Sequence, residues 1–275
     1  MQLHILSSSS KGNSYLLRSS SGQTLVLEAG IKFSRFKQAA GYMLSDIQAV
    51  CITHEHADHA RAASNFAESC IPCHMSRGTA EALHLHDHHM YRRLIPHQPV
   101  KAGPFTILPF DVRHDAAEPL GFIIHHPECG KLLFVTDTAY IPYRFAGLSH
   151  ILIECNYMPD ILRRNLNKGH ITAARHKRVI NTHLSLPRCI EALQANDLSR
   201  VSSIVLLHLS DQNTDAAHIT REVLKAVPSG IAVTVAAPGL TLPLDPPAGA
   251  ALQPAPGGPP PRPLTTVPSG PPPVP

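Results

Sequence analysis

The run Val50-Cys-Ile-Thr-His54-Glu-His56-Ala-Asp58-His59 constrains this chain more than any other stretch. An apolar β-type segment ends at Thr53, and a helical stretch begins near Asp58. Three imidazoles and a carboxylate are therefore crowded onto one strand-to-helix turn. His54 and His56, two residues apart at a strand end, can point the same way, while Asp58 and His59 approach a neighbouring point from the helix start. Such a turn suits two adjacent metal ions better than one. Its nitrogen-rich donor set favours zinc or manganese over magnesium or calcium. The bland alternative is a surface loop that happens to be rich in histidine.

Histidine is abundant throughout: 19 residues in 275, close to the Asp+Glu count of 20. The excess directs attention to metal binding and proton transfer, but a pH-responsive surface would produce the same number, so position decides. His84, His86, His88 and His89 lie at no strand end and precede Arg92 and Arg93, which reads as a mobile polar loop. Cys70-Ile-Pro-Cys73 has CxxC spacing, but no second pair completes a zinc site. Six scattered cysteines cannot staple a chain of this size, so the expectation is a reduced, cytoplasmic protein. The longest apolar runs fall far short of the roughly 20 residues a spanning helix needs. The first residues, MQLHILSSSSKGNS, have no basic region and do not read as a signal peptide.

Strands are expected at Leu3–Leu6, Tyr15–Arg18, Leu25–Leu27, Ala49–Thr53, Phe105–Val112, Gly121–His125, Lys131–Thr136, Ile151–Cys155, Ser203–Leu207 and Ile231–Ala236. Helices are expected over Lys32–Met43, from Asp58 through HARAASNFAES, from Thr172 into the 190s with an interruption at Pro187, and over Thr214–Val227. Alternation of this kind indicates a layered α/β domain, without fixing the sheet order. Half of the prolines, 13 of 26, fall in residues 246–275 beside a single charge, Arg262. The reading is a catalytic domain over residues 1–240 and a disordered Pro/Gly-rich tail over 241–275, serving as a spacer or binding an unidentified protein.

HxHxDH after a strand resembles the signature of the metallo-β-lactamase family, which implies an αββα sandwich with metals at the sheet edges. The family's later positions are matched in order, each at the end of an apolar run: Glu28 in LVLEAG, His114 in PFDVRHDA, Asp137 in LLFVTDTA and His208 in SIVLLHLS. The resemblance implies that His54, His56 and His114 bind a first ion, and Asp58, His59 and His208 a second, with Asp137 bridging. Two cations about 3.5–4 Å apart can share a hydroxide of lowered pKa and clamp a phosphoryl or acyl oxygen. Glu28, where Asp is usual, reads as an acceptor that orients a ligand imidazole.

The fold serves several chemistries, so the substrate must come from elsewhere. SSSSKGNSYLL, LVLEAG, HDAAEPLGF, LIECNY, THLS and LLHLSDQN are similar to segments of the WalJ/YycJ-like exonuclease subgroup, from which Lys11, Glu28 and Thr182 depart. That implies 5′→3′ exonuclease action on DNA, with RNA and a small cyclic phosphodiester left open. His183 in THLS matches a site residue of the subgroup and is expected to contact the scissile phosphate or protonate the leaving 3′ oxygen. From Ile161 to Ile190 seven Lys/Arg (163, 164, 168, 175, 177, 178, 188) occur with no acid, although the whole chain is only +4. Such a stripe suits a polyanion or is a solvated helix face; Arg175, Lys177 and Arg178 are its candidate phosphate contacts. Ser8, Ser9, Lys11 and Asn13 are further candidates, in a loop whose backbone N–H groups can approach a phosphate. The competing readings are acyl hydrolysis of a thioester, lactone or β-lactam, and a metal-dependent nucleic-acid-binding module. The module requires a broken ligand set, whereas all seven expected ligands are present.

Overall fold

The computed structural model describes residues 1–246 together with Arg262 and Pro263. In chain order the strands are β1 (Gln2–Ser9), β2 (Gly12–Arg18), β3 (Thr24–Leu27), β4 (Ile47–Cys51), β5 (Cys73–Met75), β6 (Tyr91–Arg93), β7 (Val100–Ala102), β8 (Phe105–Asp111), β9 (Leu120–His126), β10 (Gly130–Val135), β11 (Tyr143–Arg144), β12 (His150–Glu154), β13 (Ser203–Leu207), β14 (Ala232–Val235), β15 (Thr241–Pro243) and β16 (Arg262–Pro263). The helices are α1 (Phe33–Ala39), α2 (Ala57–Ala60), α3 (Ala63–Glu68), α4 (Arg77–Ala82), α5 (Pro159–Asn167), α6 (Ala173–Thr182), α7 (Leu186–Gln194) and α8 (Ala216–Ala226).

Successive strand residues alternate between two apolar environments, so both faces of each sheet are covered. In β10, Leu132 and Phe134 face the space between the sheets, whereas Leu133 and Val135 face α7 and α8. In β4, Ala49 and Cys51 join the inter-sheet core, and Val50 packs with Phe36 of α1 and Phe66 of α3. The result is the αββα sandwich. One sheet runs β15-β1-β2-β3-β4-β5-β6 and the other β14-β13-β12-β10-β9-β8-β7. The pairs β3–β4, β10–β12 and β12–β13 are parallel. Their carboxyl ends converge on one edge of the sandwich, where open α/β sheets bind ligands.

Several helix boundaries differ from expectation for local reasons. The stretch beyond Asp58 is two helices, because Ala62 leaves helical geometry and its N–H donates to Ala29 O across the fold. The stretch from Thr172 breaks at His183, not at Pro187. Ser185 caps a new helix, α7, and Pro187 sits in its first turn, where a missing N–H costs nothing. Helix α1 stops at Ala39, since Gly41 and Tyr42 both have left-handed φ. Elements absent from the sequence reading are α4, α5, β5, β6, β7 and β11. The sheet also continues past residue 240: β15 pairs with β1, and Leu244 is fully buried. The expected disorder of the tail lies outside the described residues, apart from β16, which pairs with β11. Among the described residues no helix is long and apolar enough to cross a membrane.

Candidate metal centre

Glu28 follows β3, Asp137 lies two residues beyond β10, and His208 follows β13; all three have left-handed φ, at 66°, 49° and 54°. Each L residue there costs about 1–2 kcal/mol. The strand ends are thereby turned, and three polar side chains are delivered to the shared edge. Strand β4 leads to His54 and His56, α2 carries Asp58 and His59, and the β8–β9 connection carries His114.

Three imidazoles meet at one point. His54 Nε2 and His114 Nε2 lie 3.0 and 3.1 Å from His56 Nδ1. A tetrahedral ion with bonds of about 2.0–2.1 Å holds its ligand nitrogens about 3.3 Å apart, close to these edges. The far nitrogens are already engaged: His54 Nδ1 with Thr53 Oγ1 at 2.9 Å, and His114 Nδ1 with the Thr182 carbonyl at 2.9 Å. Thr53 Oγ1–H in turn donates to Glu28 Oε1 at 2.6 Å. That relay directs the Nε2 lone pair of His54 inward.

A second group adjoins the first. Asp58 Oδ2 lies 3.4 Å from both His59 Nε2 and His208 Nε2, and Asp137 Oδ2 lies 2.7 Å from His59 Nε2. The same Asp137 oxygen is 3.5 Å from His54 Nε2 and 4.0 Å from His114 Nε2, so it faces both groups. Burial opposes ionisation of Asp137, but the His208 and His59 charges hold it well below the usual carboxylate range. For His54, burial and the neighbouring His59 charge push protonation down. Donor atoms gathered this closely on buried and half-buried side chains make a site that fits divalent metal.

Glu154 was not singled out from the sequence. It ends β12, is fully buried, and accepts four hydrogen bonds. Oε1 takes His183 Nδ1 at 2.7 Å and His208 Nδ1 at 3.2 Å; Oε2 takes Thr138 N at 3.1 Å and Leu184 N at 3.0 Å. His183 therefore stands beside both groups, its ring 5.3 Å from His114 and 5.6 Å from His208. Burial opposes its protonation, but the Glu154 and Asp137 carboxylates outweigh this and lift it to about 9. The readable signal was an acid ending an apolar strand, ILIE, the same pattern that marked Glu28.

The Ser/Gly-rich hairpin is turned inward. Asn13 is buried, with Nδ2 3.2 Å from His59 Nε2 and also donating to Asp58 O. Ser8 Oγ accepts from His208 N and the Tyr15 hydroxyl. Ser9 Oγ accepts from Lys11 N, and exposed Lys11 pairs with Asp211. Asn13 and Ser8 thereby brace the loops that carry Asp58, His59 and His208. On the other flank, Arg178 makes a two-pronged contact with Asp115, Nε 2.6 Å and Nη2 3.3 Å from its oxygens, beside His114. Arg175 and Lys177 are exposed on α6.

A model of the metallo-beta-lactamase superfamily matches residues 10–145. The chain belongs to that superfamily. It is a metal-dependent hydrolase. Exodeoxyribonuclease WalJ of Streptococcus pneumoniae is 29% identical over 234 residues, covering 78% of this chain and 85% of that protein. Exodeoxyribonuclease YycJ of Bacillus anthracis is 29% identical over 182 residues, covering 59% and 66%. Among solved structures, the metallo-beta-lactamase fold protein YhfI from Bacillus subtilis aligns with a TM-score of 0.65 at 15% identity, covering 88% of this chain and 99% of that one. A diphosphatase from the PhnP family aligns with a TM-score of 0.63 at 16% identity, covering 90% and 98%. These two likenesses concern the fold.

Proposed function

We propose that this protein is a two-metal 5′→3′ exonuclease that hydrolyses phosphodiester bonds of DNA. The observation that carries the reading is a three-imidazole group beside an imidazole–carboxylate group, with Asp137 facing both, flanked by an anchored histidine and a cationic helix. The likeness to two proteins named exodeoxyribonuclease supports DNA over RNA.

His54, His56 and His114 would hold one ion and Asp58, His59 and His208 the other, with Asp137 between them. When bound, zinc or manganese supplies Lewis acidity, neutralising phosphoryl charge and making water nucleophilic at neutral pH. The chain's own residues do the rest. Glu154 holds His183 by Nδ1, leaving Nε2–H to donate to the departing 3′ oxygen. Arg175, Lys177 and Arg178 on α6 neutralise phosphates next to the scissile one. Asp115 fixes the Arg178 guanidinium in orientation. Thr53, backed by Glu28, holds the His54 imidazole in the tautomer that presents a lone pair inward, Glu28 Oε1 faces the far nitrogen of His59 at 3.3 Å, and Asn13 braces the Asp58–His59 turn.

The test is a nuclease assay with Mn²⁺ or Zn²⁺ on 5′-labelled single- and double-stranded DNA and matched RNA, with His56→Ala alongside. Metal-dependent release of mononucleotides from the 5′ end of DNA, lost with chelator and at least 100-fold lower in the variant, is expected. Intact strands with metal demonstrably bound would refute the nucleic-acid reading and direct attention to thioesters and lactones.

A further inference from the structure

Between β12 and α7 the chain makes an excursion, the helical hairpin of α5 and α6. It is packed on a small apolar cluster of its own: buried Tyr157, Leu162 and Ile171, with Leu166, Val179 and Ile180 against them. Its outer faces are cationic. Of the seven Lys/Arg noted in the sequence, Arg178 pairs with Asp115 and Arg188 with Glu191. Arg163, Arg164 and Lys168 on and just after α5, and Arg175 and Lys177 on α6, are exposed and have no acidic side chain within salt-bridge distance among the described residues. An open recess of about 570 Å³ is lined by Pro159, Asp160, Arg163, Arg164, Asn167 and Lys168. Five unpaired cations on one excursion, in a chain of net charge only +4, make a local positive field that attracts a polyanion.

The hairpin is joined directly to the reacting centre. The last residue of α6, Thr182, accepts from His114 Nδ1, and the next residue is His183. A chain of phosphates bound along α5 and α6 would therefore lead into the metal centre. We propose that the α5 face of this hairpin, Arg163, Arg164 and Lys168, is a phosphate-tracking arm that holds the nucleic-acid strand away from the scissile bond and takes no part in bond cleavage. This rests on the nuclease reading. A helix of nine or ten residues is about 15 Å long, which matches about four stacked nucleotides at about 3.4 Å each. The arm contacts backbone and not bases, so it is indifferent to sequence. The large exposed apolar side chains, Tyr42, Met43 and Leu224, lie on other elements, so a lipid surface finds no apolar anchor here.

The experiment compares wild type with Arg163→Ala/Arg164→Ala/Lys168→Ala, alanine being the best helix former. Three readouts are taken: hydrolysis of a 12-nucleotide single strand, hydrolysis of bis(4-nitrophenyl) phosphate, and strand binding by fluorescence anisotropy from 50 to 200 mM salt. Three lost phosphate contacts make the log–log salt slope shallower by about 2. Wild type should thus lose about 20-fold more affinity than the variant over that range. KM for the strand should rise with kcat retained, and the small ester should be turned over within twofold of wild type. Equal losses on both substrates, or identical salt slopes, overturn the arm. A wild type that cleaves the small ester and leaves the strand intact refutes the nuclease reading; the anisotropy slopes then still decide whether the arm binds phosphate.

Discussion

Replacing Glu154 with Gln tests how the centre is organised. The carboxylate accepts from four donors, two imidazole Nδ1–H groups on Oε1 and two backbone N–H groups on Oε2. An amide keeps the shape but has one acceptor end. Its oxygen stays with Thr138 N and Leu184 N, since those donors cannot change. The NH2 then faces His183 Nδ1 and His208 Nδ1 and can accept from neither ring. His208 Nδ1–H keeps Asp137 Oδ1 as its acceptor at 2.9 Å, whereas His183 Nδ1–H is left with the longer contact to the same oxygen at 3.4 Å. For the metal-free protein the loss is mild, about 1–2 kcal/mol in charge-assisted bonds. For metal the loss is larger, because an imidazole whose Nδ1–H has lost its carboxylate is a weaker and less firmly oriented Nε2 ligand, and such outer carboxylates are typically worth about 10–100-fold in affinity. Competition with a chromophoric chelator should show one ion held about 10- to 100-fold more weakly, with the metal-free melting temperature only a few degrees lower. A variant that binds both ions at wild-type affinity would refute the reasoning.

Two other expectations concern the frame around the centre. A Cβ at Gly30 would lie 1.7 Å from Asp58 O and 2.7 Å from Asn13 N, both rigid backbone, so Gly30→Ala must displace the Asp58–His59 turn; chemical denaturation should show a loss of about 1–3 kcal/mol, with metal affinity reduced at least tenfold, and wild-type values on both counts would contradict the close approach. His74 and His150 are buried, each with one ring nitrogen lacking a partner, and burial first, aided for His74 by Arg92, depresses both to about 4. The unfolded chain binds more protons in this window, so the stability they contribute is complete above about pH 6.5 and is lost as pH falls toward 4. Each should cost about 2 kcal/mol at pH 5, so urea unfolding of His74→Leu should lose about that much less than wild type between pH 7 and pH 5, and parallel losses would refute it.

What could be read from the sequence follows a physical rule. His54, His56, Asp58 and His59 are close in space because they are close in the chain, so their convergence needed only a strand, a turn and a helix start. His114, Asp137 and His208 were legible for a weaker reason: each follows an apolar run, and parallel strands of one sandwich end at one edge. Glu154 carries the same mark. Its importance rests on β12 lying between β10 and β13, which places the carboxylate within reach of both His183 and His208. Strand order is decided by long-range packing of faces that look alike in sequence, all Leu, Ile and Val.

The left-handed residues were illegible for a different reason. Glu, Asp and His at the ends of β-type runs give no local sign of positive φ, and only the surrounding hydrogen bonds hold them there. Asn13 and Ser8 illustrate the same limit from the opposite side. Small polar residues in a hairpin can meet an incoming phosphate or the protein's own loops, and composition does not distinguish the two. What distinguishes them is the approach of the hairpin to Gly30 and Asp58, a contact between residues 45 positions apart. The amide of Asn13 is thereby committed to His59 and Asp58. Exposed cationic groups remain on the flank of α6 and α5. Under the nuclease reading, a strand held there would enter from the side of His183.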